Sequence, residues 1–216
     1  DNTHLFAATT MGVFESKNAG DSWVKRMEGM KEVLMVVSLG MDPTRSATLY
    51  AGTSGGVYKS LDQASHWEKV NNGLVPPELV KSSRALNVTA IQVDAFEPET
   101  VYAATLAGLY KSTDGAKSWA RIAESLADQM IIGMVLDRTR KGVIYLAGRD
   151  GVHRSEDGGA TWKTLNNGLA TTNVRSIAQS QYDPKLFYAG TNGSGLYRSH
   201  DAGETWESMP PVVATN

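Results

Sequence analysis

Apolar and polar residues alternate with a period of two in short runs along the whole chain. Residues 87–94 are rich in β-branched side chains, residues 100–105 follow a Glu97-Pro98 turn, and residues 108–112 and 118–122 complete the set. Runs of this length, bounded by turn-forming residues, predict four short strands of one antiparallel sheet. The arrangement recurs. Residues 48–53, 143–148 and 186–191 read as further second strands, and residues 56–60, 151–155 and 195–199 as third strands. The apolar stretch 126–136 takes the place of the innermost strand of the fourth sheet. The N-terminal unit enters directly at its second strand, residues 4–9, and residues 211–216 fall where another first strand is expected.

Each unit ends on a fixed element. Ser16, Ser60, Ser112, Ser155 and Ser199 each open an eight-residue segment closed by Trp23, Trp67, Trp119, Trp162 or Trp206, which together are all the tryptophans of the chain. The serines lie 44, 52, 43 and 44 residues apart, so the chain is one structural unit repeated five times. Two residues after the serine stands Asn18, Asp62, Asp114, Asp157 or Asp201. Such a side chain accepts hydrogen bonds from backbone N–H groups of its own turn, and a glycine that follows adopts the left-handed conformation closing it. The tryptophan is expected to cover apolar surface beside the hairpin, burying about 150–250 Å². Ten residues always separate it from an apolar residue of the third strand, Val13, Val57, Leu109, Val152 or Leu196, so this hairpin tolerates no insertion. A calcium role for the acids is weak, because each unit offers one carboxylate without a ring of oxygens.

Charge and composition narrow the task. A formal charge of -2 with scattered lysines and arginines argues against a nucleic-acid or membrane-surface partner. The absence of cysteine excludes a disulfide framework and thiol chemistry. No stretch approaches the about 18 apolar residues of a membrane span. The sequence begins at Asp1, which fits a mature exported product or a trimmed piece of one, and predicts an extracytoplasmic location, periplasmic or secreted. The four histidines occupy variable points of the repeat, so no metal trio and no cofactor site is expected.

The pattern Ser-x-Asp-x-Gly-x-Thr-Trp resembles the Asp-box, or bacterial neuraminidase repeat, and the units resemble those of Asp-box β-propellers over essentially the whole chain. The fourth and fifth copies match best. Asn18 replaces the acid, Ala64 and Ala116 the glycine, and His66 the Ser or Thr. The Tyr-Ala-Gly-Thr and Gly-Val-Tyr-Lys-Ser style most resembles the photosystem II stability and assembly-factor-like group. This resemblance implies an all-β propeller of four-stranded antiparallel blades over residues 1–216 as a single domain, and counting units and strands along the chain gives five blades. Pairing of the N- and C-terminal segments is expected to close its ring.

Resemblance also implies that the boxes lie on the face opposite the one sialidases use. Candidates for partner binding are therefore Arg149 and Asp150 in the shortest second-to-third turn, and Asn192 in the longest. Glu78, Lys81 and Arg84 in the long connection and Asp128 in another join them. A sialidase needs three arginines converging on a carboxylate, and only Arg84 and Arg149 fall naturally on that face. Loop carboxylates such as Glu78, Asp128 and Asp150 are weak evidence for a glycosidase pair. Tyr50, Tyr58, Tyr102, Tyr110, Tyr188 and Tyr197 recur once per strand, which reads as packing between blades. The expectation is a non-enzymatic scaffold for a protein partner, as a monomer or within a larger complex. A glycan-binding or degenerate glycosidase module is the alternative.

Overall fold

The structure, a computed structural model, describes residues 3–31, 33, 35–76, 78, 85–126 and 129–210. These fall into two compact units, Asp1–Ile122 and Ala123–Asn216. Apart from 3-10 structure at Glu78 and at Glu124–Leu126, regular structure among the described residues is β. The first unit holds three sheets. They are β1 (Leu5–Thr9), β2 (Gly12–Ser16) and β3 (Val24–Lys25); β4 (Val36–Met41), β5 (Leu49–Thr53), β6 (Gly56–Ser60) and β7 (Glu68–Lys69); and β8 (Val88–Val93), β9 (Val101–Thr105), β10 (Gly108–Ser112) and β11 (Ala120–Ile122). The second unit holds two: β12 (Ile131–Leu136), β13 (Ile144–Gly148), β14 (Gly151–Ser155) and β15 (Lys163–Thr164); and β16 (Val174–Gln179), β17 (Phe187–Thr191), β18 (Leu196–Ser199) and β19 (Glu207–Ser208). In every sheet, chain order is spatial order and neighbours are antiparallel.

Among the described residues the first sheet has three strands, and residues 211–216, expected to supply its fourth, lie outside the described residues. One expectation is corrected. The apolar run 126–136 is strand only from Ile131 onward, because Leu126 belongs to the 3-10 turn and packs inward from there.

Packing partners follow the period of two. On β5, Leu49 and Ala51 face back toward the first sheet, packing with Val13, Met30, Tyr58 and Trp67. Tyr50 between them faces forward, packing with Val101, Ala103, Tyr110 and Trp119 of the third sheet. The second unit repeats this: Tyr145, Ala147 and Val152 meet Phe187, Ala189, Tyr197 and Trp206. The second sheet is thus covered on both faces, and β5 is buried at every position. Burial pushes the Tyr50 and Tyr102 phenols up to about 12, and Lys59 and Lys111 lie 5.3 Å over those rings.

The tryptophans hold the sheets together in a way the hairpin alone does not foretell. Trp67, Trp119 and Trp206 are buried, and their indole N–H groups donate backward to the carbonyls of Arg26, Val70 and Leu165 in the preceding sheet. Their backbone N–H groups reach the same sheet, at the carbonyls of Glu28, Asn72 and Asn167. Each of those carbonyls precedes a positive-φ glycine, Gly29, Gly73 or Gly168, at which a Cβ would strike the tryptophan's carbonyl oxygen. Trp23 and Trp162 differ. Each donates to its own turn, at Gly20 and Gly159, and neither is fully buried.

Candidate functional site

The eight-residue turns form a hydrogen-bonded lattice. Each serine Oγ donates to the Oδ1 two residues on, at 2.7–2.9 Å, and accepts the N–H four residues on, at 2.8–2.9 Å. The same Oδ1 accepts the N–H of Ser22, His66, Ser118, Thr161 or Thr205. Hydroxyls of Thr161 and Thr205 add a bond to the second carboxylate oxygen, at 2.6 Å. Asn18 reverses that last contact: its amide donates to Ser22 Oγ. Ala64 and Ala116 take φ values of 66° and 70°, so the left-handed step survives loss of the glycine.

These bonds stabilise the ionised acid. The Ser118 hydroxyl, then its N–H and the Ser112 hydroxyl, pull the Asp114 carboxyl down to about 2. Its ordinary value is 3.8, so its contribution to stability is complete above about pH 4 and is lost as pH falls toward 2. Asp114→Asn is therefore expected to keep the turn, as Asn18 does, while its urea midpoint falls less than wild type between pH 5 and about 2. Parallel acid limbs in the two proteins would sink this account.

The other ends of the sheets carry the second-to-third turns. In the second unit, β14 runs from the Arg149-Asp150 turn at Gly151 to the box serine at Ser155, so the two features stand a strand length apart, about 15 Å. Arg149, Asp150 and Asn192 are exposed, in the β13–β14 and β17–β18 turns. Asn166 locks the first: its Oδ1 accepts the Val152 N–H at 2.9 Å and its amide donates to the Asp150 carbonyl at 2.9 Å. Asn71 does the same at the β5–β6 turn, bonding Val57 and Gly55. Threonine also closes the β5–β6 turn and, at equivalent positions, the β9–β10 and β17–β18 turns, with the Thr53, Thr105 and Thr191 hydroxyls donating to the carbonyls of Gly56, Gly108 and Gly195. Glu78 is exposed in the first unit, whereas Lys81, Arg84 and Asp128 lie outside the described residues.

Several acids are committed elsewhere. Asp42 and Asp137 are buried at the β4–β5 and β12–β13 turns, where each carboxylate takes the N–H and hydroxyl of a threonine and the guanidinium of Arg45 or Arg140. Burial alone raises their pKa values, yet the hydrogen bonds win and both lie below the ordinary range. Asp94 clamps the matching turn through Phe96 and Glu97. This second clamp escaped the sequence reading, although Asp42, Asp94 and Asp137 recur at nearly the box spacing. The repeated Asn-Asn-Gly-Leu beginning at Asn71 and Asn166 likewise marked the turn locks. His153, on β14 where the other sheets have Phe or Tyr, is buried with Nε2 unpartnered, and desolvation lowers its pKa. Among the described residues no group of three His, Cys, Asp or Glu side chains is placed to hold a metal ion, and no helix is long and apolar enough to cross a membrane.

A family model described as Sortilin-Vps10, for sortilin and neurotensin receptor 3, matches residues 150–215. No curated protein matches the sequence. Among solved structures, an ancestral GH74 enzyme superposes with a TM-score of 0.69 at 24% identity, over 82% of this chain and 24% of that one. The extracellular domain of a putative hybrid two-component system from B. thetaiotaomicron gives 0.67 at 17% identity, over 96% and 26%. YCF48 from Cyanidioschyzon merolae gives 0.59 at 14% identity, over 83% and 57%, and YCF48 bound to D1 peptide gives 0.50 at 14%, over 96% and 77%. The chain thus spans about a quarter of the first two proteins. At these identities the shared property is the fold, and the five sheets are blades of the β-propeller type.

Proposed function

We propose that the chain is a non-enzymatic, exported protein-binding platform, its five sheets being blades of one propeller domain. One observation carries the reading: the exposed Arg149-Asp150 turn is held rigid by Asn166, presenting both charge signs on a preorganised support. The buried carboxylates Asp42 and Asp137 and the box acids are engaged in structural hydrogen bonds, which leaves the exposed turns as the variable surface. Likeness to an extracellular domain and to YCF48 bound to D1 peptide supports the same reading.

The likeness to a GH74 enzyme favours a second reading, a carbohydrate-active module. A pull-down from the native extracytoplasmic fraction, with wild-type bait and an Arg149→Glu bait of equal stability, separates the two. A specific protein retained by wild type and lost by the variant is the expected result. Retention of the bait by immobilised polysaccharide, with no protein captured, would replace the platform by the carbohydrate module.

A further inference from the structure

The dipeptide Asn-Gly occurs three times, at Asn72-Gly73, Asn167-Gly168 and Asn192-Gly193. In this pair the asparagine side chain is open to attack by the next backbone nitrogen, because glycine has no Cβ to crowd that nitrogen. All three asparagines are exposed, so contact with water does not separate them. The bonds around each peptide unit do.

Asn72 and Asn167 are tied to docked tryptophans. The Asn72 carbonyl accepts the Trp119 N–H at 2.9 Å, and the Asn167 carbonyl accepts the Trp206 N–H at 2.8 Å. The Asn72 amide also donates to the Lys117 carbonyl, at 3.3 Å. Gly73 and Gly168 are seated against the tryptophan carbonyls, which a Cβ on either would strike. Closing a ring between the asparagine side chain and the glycine nitrogen turns the peptide unit that carries the bonded carbonyl. At both positions that turn has to wait for local opening of the tryptophan contact.

Asn192 lies in the β17–β18 turn and is held on one side only, by its N–H, which donates to the Asn173 carbonyl at 2.9 Å. Among the described residues its side chain, its carbonyl and the Gly193 N–H have no hydrogen-bond partner. A Cβ added at Gly193 or Gly195 meets nothing within 4 Å. The base of the loop is pinned, since the N–H and hydroxyl of Thr191 both reach the Gly195 carbonyl, at 3.0 and 2.8 Å. Residues 192–194 can therefore rearrange without disturbing the strands.

We propose that Asn192 is a self-modification site, at which the turn converts a neutral amide to a carboxylate without an enzyme. The Gly193 nitrogen loses its proton and attacks Asn192 Cγ. The Cγ–Nδ2 bond breaks, ammonia leaves with that proton, and a cyclic imide remains. Water then adds to one of the two imide carbonyl carbons and opens the ring. Addition at Cγ gives aspartate, and addition at the main-chain carbon gives isoaspartate, with the chain running through the former side chain. The exposed turn gains a negative charge, and the pinned loop absorbs the extra main-chain carbon. No partner protein takes part, so this site and the platform reading stand or fall separately.

Incubation of the intact chain at mildly alkaline pH, where the Gly193 proton is lost more readily, followed by peptide mapping for aspartate and isoaspartate, tests the proposal. Conversion at Asn192 is expected to run roughly tenfold or more faster than at Asn72 and Asn167, and the three rates to converge in guanidinium chloride. Gly193→Ala is expected to slow conversion at Asn192 roughly tenfold or more, while continued protection of Asn72 and Asn167 reports that the variant is folded. Equal rates at the three sites in the folded chain, or conversion at Asn192 only in denaturant, overturns the proposal. So does aspartate formed without isoaspartate, or a Gly193→Ala rate equal to wild type, because water would then attack the side chain directly.

Discussion

Trp67→Ala is expected to lower the unfolding free energy by about 3–5 kcal/mol, whereas Trp23→Ala costs under about 1 kcal/mol. Both residues close the same eight-residue pattern, so the difference lies in what they touch. Trp67 is 1% exposed, packs among Val13, Met30, Leu49 and Tyr58, and donates its indole N–H to the Arg26 carbonyl in the preceding sheet. Its removal opens a cavity between two sheets and orphans a carbonyl. Trp23 is 42% exposed and donates to Gly20 of its own turn, so its truncation mainly removes surface already in contact with water. Urea-unfolding midpoints at unchanged slope measure both. Similar losses would mean that the tryptophan acts on its own hairpin and that docking is incidental.

Gly168→Ala is expected to cost about 3 kcal/mol, against about 1 kcal/mol for Gly193→Ala. The two glycines have nearly the same φ, 91° and 94°, so the left-handed penalty is common to both. At Gly193 an added Cβ meets nothing within 4 Å, while at Gly168 it falls on the Trp206 carbonyl. Relieving that overlap requires Trp206 to withdraw, which breaks its backbone bond to Asn167 and its indole bond to Leu165. Thermal unfolding of the two variants isolates the docking contribution. Equal shifts would show that the turn, rather than the seat it makes for the tryptophan, sets the cost.

The box was legible because its bonds are local. Ser60, Asp62, Ala64 and His66 satisfy one another within six residues, and such a clamp writes itself into adjacent positions. Docking was not, because the acceptor for the Trp67 indole lies 41 residues earlier and that for Trp119 lies 49 residues earlier. The glycines that receive the tryptophan do sit at fixed spacing, with Ser125 in their place after Trp119, yet a glycine after a strand reads first as an ordinary turn. The start of β12 was missed for a related reason. Leu126 and Ile131 are both apolar and buried, and periodicity cannot separate a 3-10 turn from the strand that follows. The exposed turn at Arg149 and Asp150 obeys no period, so the sequence locates it without saying what it binds.

The tryptophan bonds point only backward along the chain, and this gives assembly a direction. During synthesis a finished sheet waits with free carbonyls, such as those of Arg26 and Glu28, which water satisfies at small cost. The sheet that follows brings the indole and buries it against a surface already made. The nascent end of such an array therefore never has to shelter a bulky unplaced side chain intended for a sheet not yet translated.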